Sequence, residues 1–118
     1  MELLADKGYT VMCKFSSVTG LRVGAEVEIA GVPVGRVASI TLDREHPLAV
    51  VGLRINEGVK LTDDVIASVK TSGLIGDKYV KLSPGGSPDI LGNGDEITET
   101  ESSIDIESLI SKYVFGGV

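Results

Sequence analysis

The chain has 118 residues, a formal net charge of −6 at pH 7 and one cysteine, a length that suits one domain burying about two-thirds of its unfolded surface. The acidic balance, with no basic stripe along the chain, excludes the footprint that nucleic-acid phosphates demand, and a lone Cys13 excludes an internal disulfide or a cysteine-based zinc or iron–sulfur site. Hydrophobic residues make up 42% but aromatics only 4%, so the core is built from Val, Ile, Leu and Ala, the first two of which favour pleated, half-buried surfaces.

In chain order, residues 1–8, "MELLADKG", carry neither the basic start nor the apolar run of a signal peptide, and nowhere does the chain approach the roughly 18 consecutive apolar residues of a membrane span. They read as a linker. "YTVMCKF" alternates, with Tyr9, Val11, Cys13 and Phe15 on one face and Thr10, Met12 and Lys14 on the other, and predicts a strand in which Cys13 is a packed core thiol. After "SSVTGLRVG", "AEVEIAG" sets Ala25, Val27 and Ile29 against a wet face of Glu26 and Glu28, and "GVPVG" turns the chain into "RVASITLD". "DREHP" is a turn; its lone His46 has no cysteine or serine nucleophile constellation around it. "LAVVGLRI" is more uniformly apolar and predicts a more deeply buried strand.

Asp63 and Asp64 in "LTDD" read as a solvated turn, because adjacent residues at a strand start point to opposite faces and so do not form one metal or acid/base site. "DVIASVK" and "KYVKL" are further strands, flanking "TSGLIGD". In "SPGGSPDILGNGDEI" the Asn93-Gly94 pair is the residue type that a tight reversal with positive φ selects. Neither "PGGSP" nor "GNGDE" opens a helix that would hold a phosphate. The count is about seven short strands with frequent turn residues, the pattern of an all-β barrel or sandwich. No catalytic constellation and no cofactor site is legible.

From Ser102 the period changes. "SSIDIESLISKYVFGG" places Ile106, Leu109, Ile110, Tyr113 and Val114 at helical spacing and closes on Gly116-Gly117, with Ser102 and Asp105 resembling a capping box. A helix of about fifteen residues is marginal alone in water. Its stripe therefore needs cover, from the barrel surface or from other copies of the helix; the polar "TETESS" ahead of it offers no apolar staple and favours projection. The predicted organisation is a linker over residues 1–8, a β-barrel over 9–100, and a hinge with a C-terminal helix over 101–118.

Leu74 and Ile75, side by side between Gly73 and Gly76, fit neither the alternation of a half-buried strand nor the residue preferences of a tight turn. From the residues alone an inward-folded plug and an exposed apolar tip are both open. Exposure leaves roughly 1.5–3 kcal/mol of burial unrealised per side chain, so an exposed tip points to a partner surface or an apolar ligand.

"GLRVGAEVEIAGVPVGRV" and "TSGLIGDKYV", followed by "LGNGDEI", resemble the MCE domain, and within it the single-domain MlaD-type subunits of bacterial phospholipid transport systems; the likeness runs from about Tyr9 through the final helix. It implies an all-β fold: a seven-stranded barrel with a C-terminal α-helix, assembled into a homohexameric ring whose central pore is lined by one loop from each subunit. The family's "SGLLG"-like pore loop maps onto Ser72, Gly73, Leu74, Ile75 and Gly76, with Ile75 where Leu is common, and the glycines let the loop reach inward. By the same resemblance Ile106, Leu109, Ile110 and Tyr113 make contacts between copies around the axis.

The implied function is non-enzymatic: phospholipid passes through an apolar pore between an inner-membrane ABC transporter, whose permease and ATPase subunits are partners, and a soluble periplasmic lipid carrier. Family members begin with a transmembrane anchor that holds them on the periplasmic side of the inner membrane. The present sequence has none, so the resemblance implies a shortened, soluble chain. The rival reading is a non-catalytic structural or adaptor barrel that organises a membrane transport complex without touching lipid.

Overall fold

In a computed structural model that describes residues 7–74 and 76–102, the alternating segments become strands β1 (Tyr9–Phe15), β2 (Glu26–Ile29), β3 (Val32–Leu42), β4 (Ala49–Ile55), β5 (Ile66–Thr71), β6 (Lys78–Ser83), β7 (Glu96–Ile97) and β8 (Glu99–Glu101). They form one sheet in the order β7-β1-β4-β3-β2-β6-β5-β8. Only Thr98 separates β7 from β8, and the two run parallel to β1 and β5 respectively. A single extended run thus lies between β1 and β5 and nearly closes the sheet into a barrel, which removes two open edges. Counting that run as one strand gives the seven expected.

Alternation decides what points inward. Val11, Cys13 and Phe15 of β1, Val51, Leu53 and Ile55 of β4, and Val80 and Leu82 of β6 are fully buried, each stabilising the fold by roughly 1.5–3 kcal/mol relative to exposure. The Cys13 Sγ lies 3.6 Å from the Val51 carbonyl oxygen, and burial, with the charge of Glu96 behind it, pushes the thiol up to about 12. It is a core side chain, as its place in the alternation predicts. The long β3 serves two neighbours, and its register slips opposite Val27 and Glu28 of β2 and again between Val37 and Ser39 against β4. Such bulges bend a strand and sharpen its twist, as barrel closure requires.

The pairing registers sort the connections onto two ends. One end gathers residues 16–25, the β3–β4 turn, the β5–β6 hairpin tip and Ser102. The opposite end carries Gly8, the Ala30–Gly31 turn, residues 56–65 and residues 84–95. Among the described residues no helix is long and apolar enough to cross a membrane.

The polar stretch expected to be a hinge is, in its first part, barrel wall. Ser68 Oγ donates to Glu101 Oε1 at 2.7 Å and Thr100 Oγ1 to the Lys14 carbonyl at 2.7 Å. Ser102 Oγ accepts the backbone N–H groups of Ser16 and Ser17 at 3.0 and 3.2 Å. These side chains hold β8 in place by hydrogen bonds rather than apolar burial, and so the segment looks like a linker in composition. The expected helix, with Ile106, Leu109, Ile110 and Tyr113, lies outside the described residues.

Candidate functional site

The hairpin between β5 and β6 keeps strand pairing up to Thr71 and Lys78, and the Ser72 N–H then donates to the Asp77 carbonyl at 3.0 Å to close its tip. Gly73 has φ +73°, in the left-handed region where a side chain is strained. A Cβ on Gly76 would run into the Ser72 carbonyl oxygen. Both glycines are therefore required by the turn itself. Leu74 is 80% exposed, more than Leu42 at 73% or Val23 at 63%; it is no inward plug. Ile75 lies outside the described residues.

The base of this hairpin forms one wall of a half-open groove of about 690 Å³. Arg22 and Val23 from the loop that follows β1, Glu26 and Glu28 of β2, Arg36 of β3, and Asp77 beside Lys78 line it as well. Gly20 sits at φ +89° without a side chain, which leaves room for the Lys78 stem; a Cβ there would lie 3.0 Å from Lys78 Cγ. Arg36 is placed opposite Glu26 by the β2–β3 register and donates from Nη1 to the Gly24 carbonyl at 2.9 Å. Partial desolvation, then the hydrogen bond and charge of Glu26, raise the Glu28 carboxyl above the usual carboxylate range. The sequence shows this pair only as a wet strand face. Its place in a groove depends on partners that come from β3, β6 and the loop after β1, and alternation within one strand does not reveal them.

The other polar residues singled out in the sequence do not join this site. His46 is exposed, with Nδ1 4.0 Å from Asp43 Oδ2. Asp43 accepts the Glu45 N–H at 2.8 Å and approaches Lys14 Nζ at 3.4 Å; the Glu45 bond, then Lys14, hold its carboxyl below the usual range against partial desolvation. Asp63 and Asp64 belong to the opposite end, in the turn expected. Asp64 Oδ2 accepts the N–H groups of Gly86 and Ser87 at 3.1 and 3.2 Å and so clamps a neighbouring turn. Among the described residues no cluster of three or more His, Cys, Asp or Glu is placed to hold a metal.

Three comparisons place this geometry among known proteins. Residues 7–85 match the family model described as MlaD protein. The chain is 39% identical over 114 residues to the intermembrane phospholipid transport system binding protein MlaD of Haemophilus influenzae, covering 93% of this chain and 68% of that protein. It is 38% identical over 121 residues to the protein of the same description from Escherichia coli strain K12, covering 98% of this chain and 66% of the relative. The chain thus spans about two-thirds of the length of these relatives. A chain of the Acinetobacter MlaFEDB complex in its ATP-bound Vtrans1 conformation superposes with a TM-score of 0.84 at 29% identity, covering 92% of this chain and 82% of that one. With the family model spanning more than half of the sequence and the same barrel present in a solved relative, the chain belongs to the MlaD family.

Proposed function

We propose that the chain is the lipid-binding and lipid-transfer subunit of a homohexameric ring, which passes phospholipid through a central apolar pore between an inner-membrane ABC transporter and a soluble periplasmic carrier. The observation that carries this reading is Leu74, the most exposed large aliphatic among the described residues, held out on a hairpin tip by two glycines that the turn cannot replace. Copies of the Gly73, Leu74, Ile75, Gly76 loop meeting on an axis give acyl chains an apolar passage, and contact with lipid supplies the burial that an isolated barrel lacks. The descriptions of the relatives, binding proteins of an intermembrane phospholipid transport system, support the substrate class, and the solved relative within an ATP-bound complex supports a partner that hydrolyses the nucleotide. Ile106, Leu109, Ile110 and Tyr113 contribute contacts between copies. The chain works on the periplasmic side of the inner membrane, as part of a longer, anchored protein, and its own role is binding and transfer without catalysis.

Replacing Leu74 and Ile75 together with Asn is the direct test. Phospholipid transfer between vesicles by the reconstituted transporter should fall by about tenfold or more, as expected when several kcal/mol of apolar contact is lost. Stability should stay within about 0.5 kcal/mol of the parent, as for surface substitutions. Normal transfer by the double variant would refute an apolar gate, and a variant that unfolds would show the pair to be structural. A ring that joins the transporter yet carries no phospholipid by native mass spectrometry would indicate an adaptor instead.

A further inference from the structure

We propose that Asn93 is a gated deamidation site: the parallel closure of the barrel guards an asparagine–glycine pair, and an opening of that closure releases its chemistry. Asn93 and Gly94 are the central residues of a turn in which the Asp95 N–H donates to the Gly92 carbonyl at 3.1 Å and the Gly92 N–H to Asp95 Oδ2 at 2.7 Å. Both are exposed, so water reaches the pair. The chain has one other carboxamide side chain, Asn56, and it is followed by Glu57.

The reaction needs no partner but water. The Gly94 backbone nitrogen attacks the Asn93 carboxamide carbon, a C–N bond forms to close a succinimide, the bond from that carbon to Nδ2 breaks, and ammonia leaves with the proton given up by the Gly94 nitrogen. Water then opens the ring at one carbonyl or the other, giving aspartate or isoaspartate. Glycine has no Cβ to obstruct the approach, whereas the Glu57 side chain hinders the same attack at Asn56.

Both reacting groups are held by β1. The Gly94 N–H donates to the Thr10 carbonyl at 2.7 Å, and Asn93 Oδ1 accepts the Thr10 N–H at 2.9 Å. The carboxamide oxygen thus stands where a parallel ladder needs a carbonyl, one step ahead of the bond from the Met12 N–H to the Asp95 carbonyl and of the pairing of Met12 with Glu96. The nucleophile keeps its proton in one hydrogen bond while its target is turned toward another strand, and ring closure requires both bonds to break. The guard therefore lasts as long as β1 and the closing run stay paired, and conversion reports their local opening.

The two products act differently on the fold. Aspartate keeps an acceptor oxygen at the same place and restores the clamp. Isoaspartate carries the main chain through its side-chain carbons, which lengthens the path to Gly94 by one atom and moves the Gly94 N–H and the Asp95 carbonyl out of register with Thr10 and Met12. A transient opening is thereby fixed as a lasting one.

The test is peptide mapping by mass spectrometry of the folded protein and of the same protein in guanidinium chloride, held side by side at mildly alkaline pH. Conversion at Asn93 should be at least about tenfold slower in the folded chain, because only the locally opened fraction reacts, and in denaturant Asn93 should convert ahead of Asn56. Hydrogen exchange tests the clamp itself: Asn93→Ala should speed exchange of the Thr10 amide by about fivefold, the loss of one ordinary hydrogen bond, and Asn93→Asp should leave it near the parent's. The isoaspartyl product, separated by chromatography, should melt below the parent and the aspartyl product with it. Equal conversion in the folded and denatured chains, or a Thr10 amide in Asn93→Ala that exchanges like the parent's, would overturn the guard. An isoaspartyl chain that melts with the parent would overturn its effect on closure.

Discussion

Asp64 shows how far a single carboxylate reaches beyond its neighbours in sequence. The hydroxyl of Thr62 foremost, and then the N–H groups of Ser87 and Gly86, hold its carboxyl below the usual range although partial desolvation opposes them. A depressed folded value contributes stability that is present above the unfolded carboxylate pKa, about 3.9, and is lost as pH falls through the folded value. Asp64→Asn keeps an acceptor and removes the charge, so thermal unfolding should find the variant less stable than the parent near neutral pH, the gap closing below about pH 4 as the parent carboxyl takes up its proton. A gap independent of pH would show that the charge contributes nothing. The sequence places Asp64 in a turn and no more, because the turn it clamps, at Gly86 and Ser87, lies 22 and 23 residues away. Val11, Cys13 and Phe15 were legible from alternation alone, since burial in a strand is a local property of period two.

At the scale of elements, β1 to β6 each announce themselves by apolar alternation or apolar runs, although β3 already starts at Val32, inside the "GVPVG" that reads as a turn, whereas the run that closes the barrel does not. With Glu96–Ile97 on one side of Thr98 and Glu99–Glu101 on the other, it is too short and too polar to show a period. It becomes a strand because β1 and β5 both offer it an edge. Two truncations separate its role from that of the following segment. Deletion from residue 103 onward should weaken the oligomer, seen as a fall in native mass, while circular dichroism retains the strand content. Deletion from Thr98 onward also removes β8 and the Ser102 clamp and leaves β5 unpaired on one side, so the barrel should unfold or aggregate. A chain lacking β8 that melts with its parent would show closure to be dispensable. The hairpin tip is a middle case: Gly73 and Gly76 mark it in the sequence, but whether Leu74 faces in or out depends on how the barrel beneath is filled.

For the whole molecule the two-ended arrangement matters most. The most exposed aliphatics among the described residues, Leu74, Leu42 and Val23, belong to connections or strand ends at a single end, the one where the described chain stops at Ser102, and Val23 lines the groove there. The flanking glycines mark Leu74 in the sequence; Leu42 and Val23 are brought to the same end by strand direction, which no local pattern states. The same arrangement has a mechanical consequence. The strand that enters the barrel at Gly8 and the run that leaves it at Ser102 are parallel neighbours, joined by Gly94 to Thr10 and Met12 to Asp95 bonds and by Ser102 to Ser16 and Ser17. Tension applied between those two points pulls the neighbours past each other lengthwise, so the cross-links share the force instead of parting one after another. In single-molecule pulling, attachment at residues 8 and 102 should give a higher rupture force than attachment at residues 46 and 74, two tips of the same end that are pulled apart by peeling. Equal rupture forces would refute this geometry. A barrel tethered on one side and engaged on the other would then transmit a pull across its length with its fold intact.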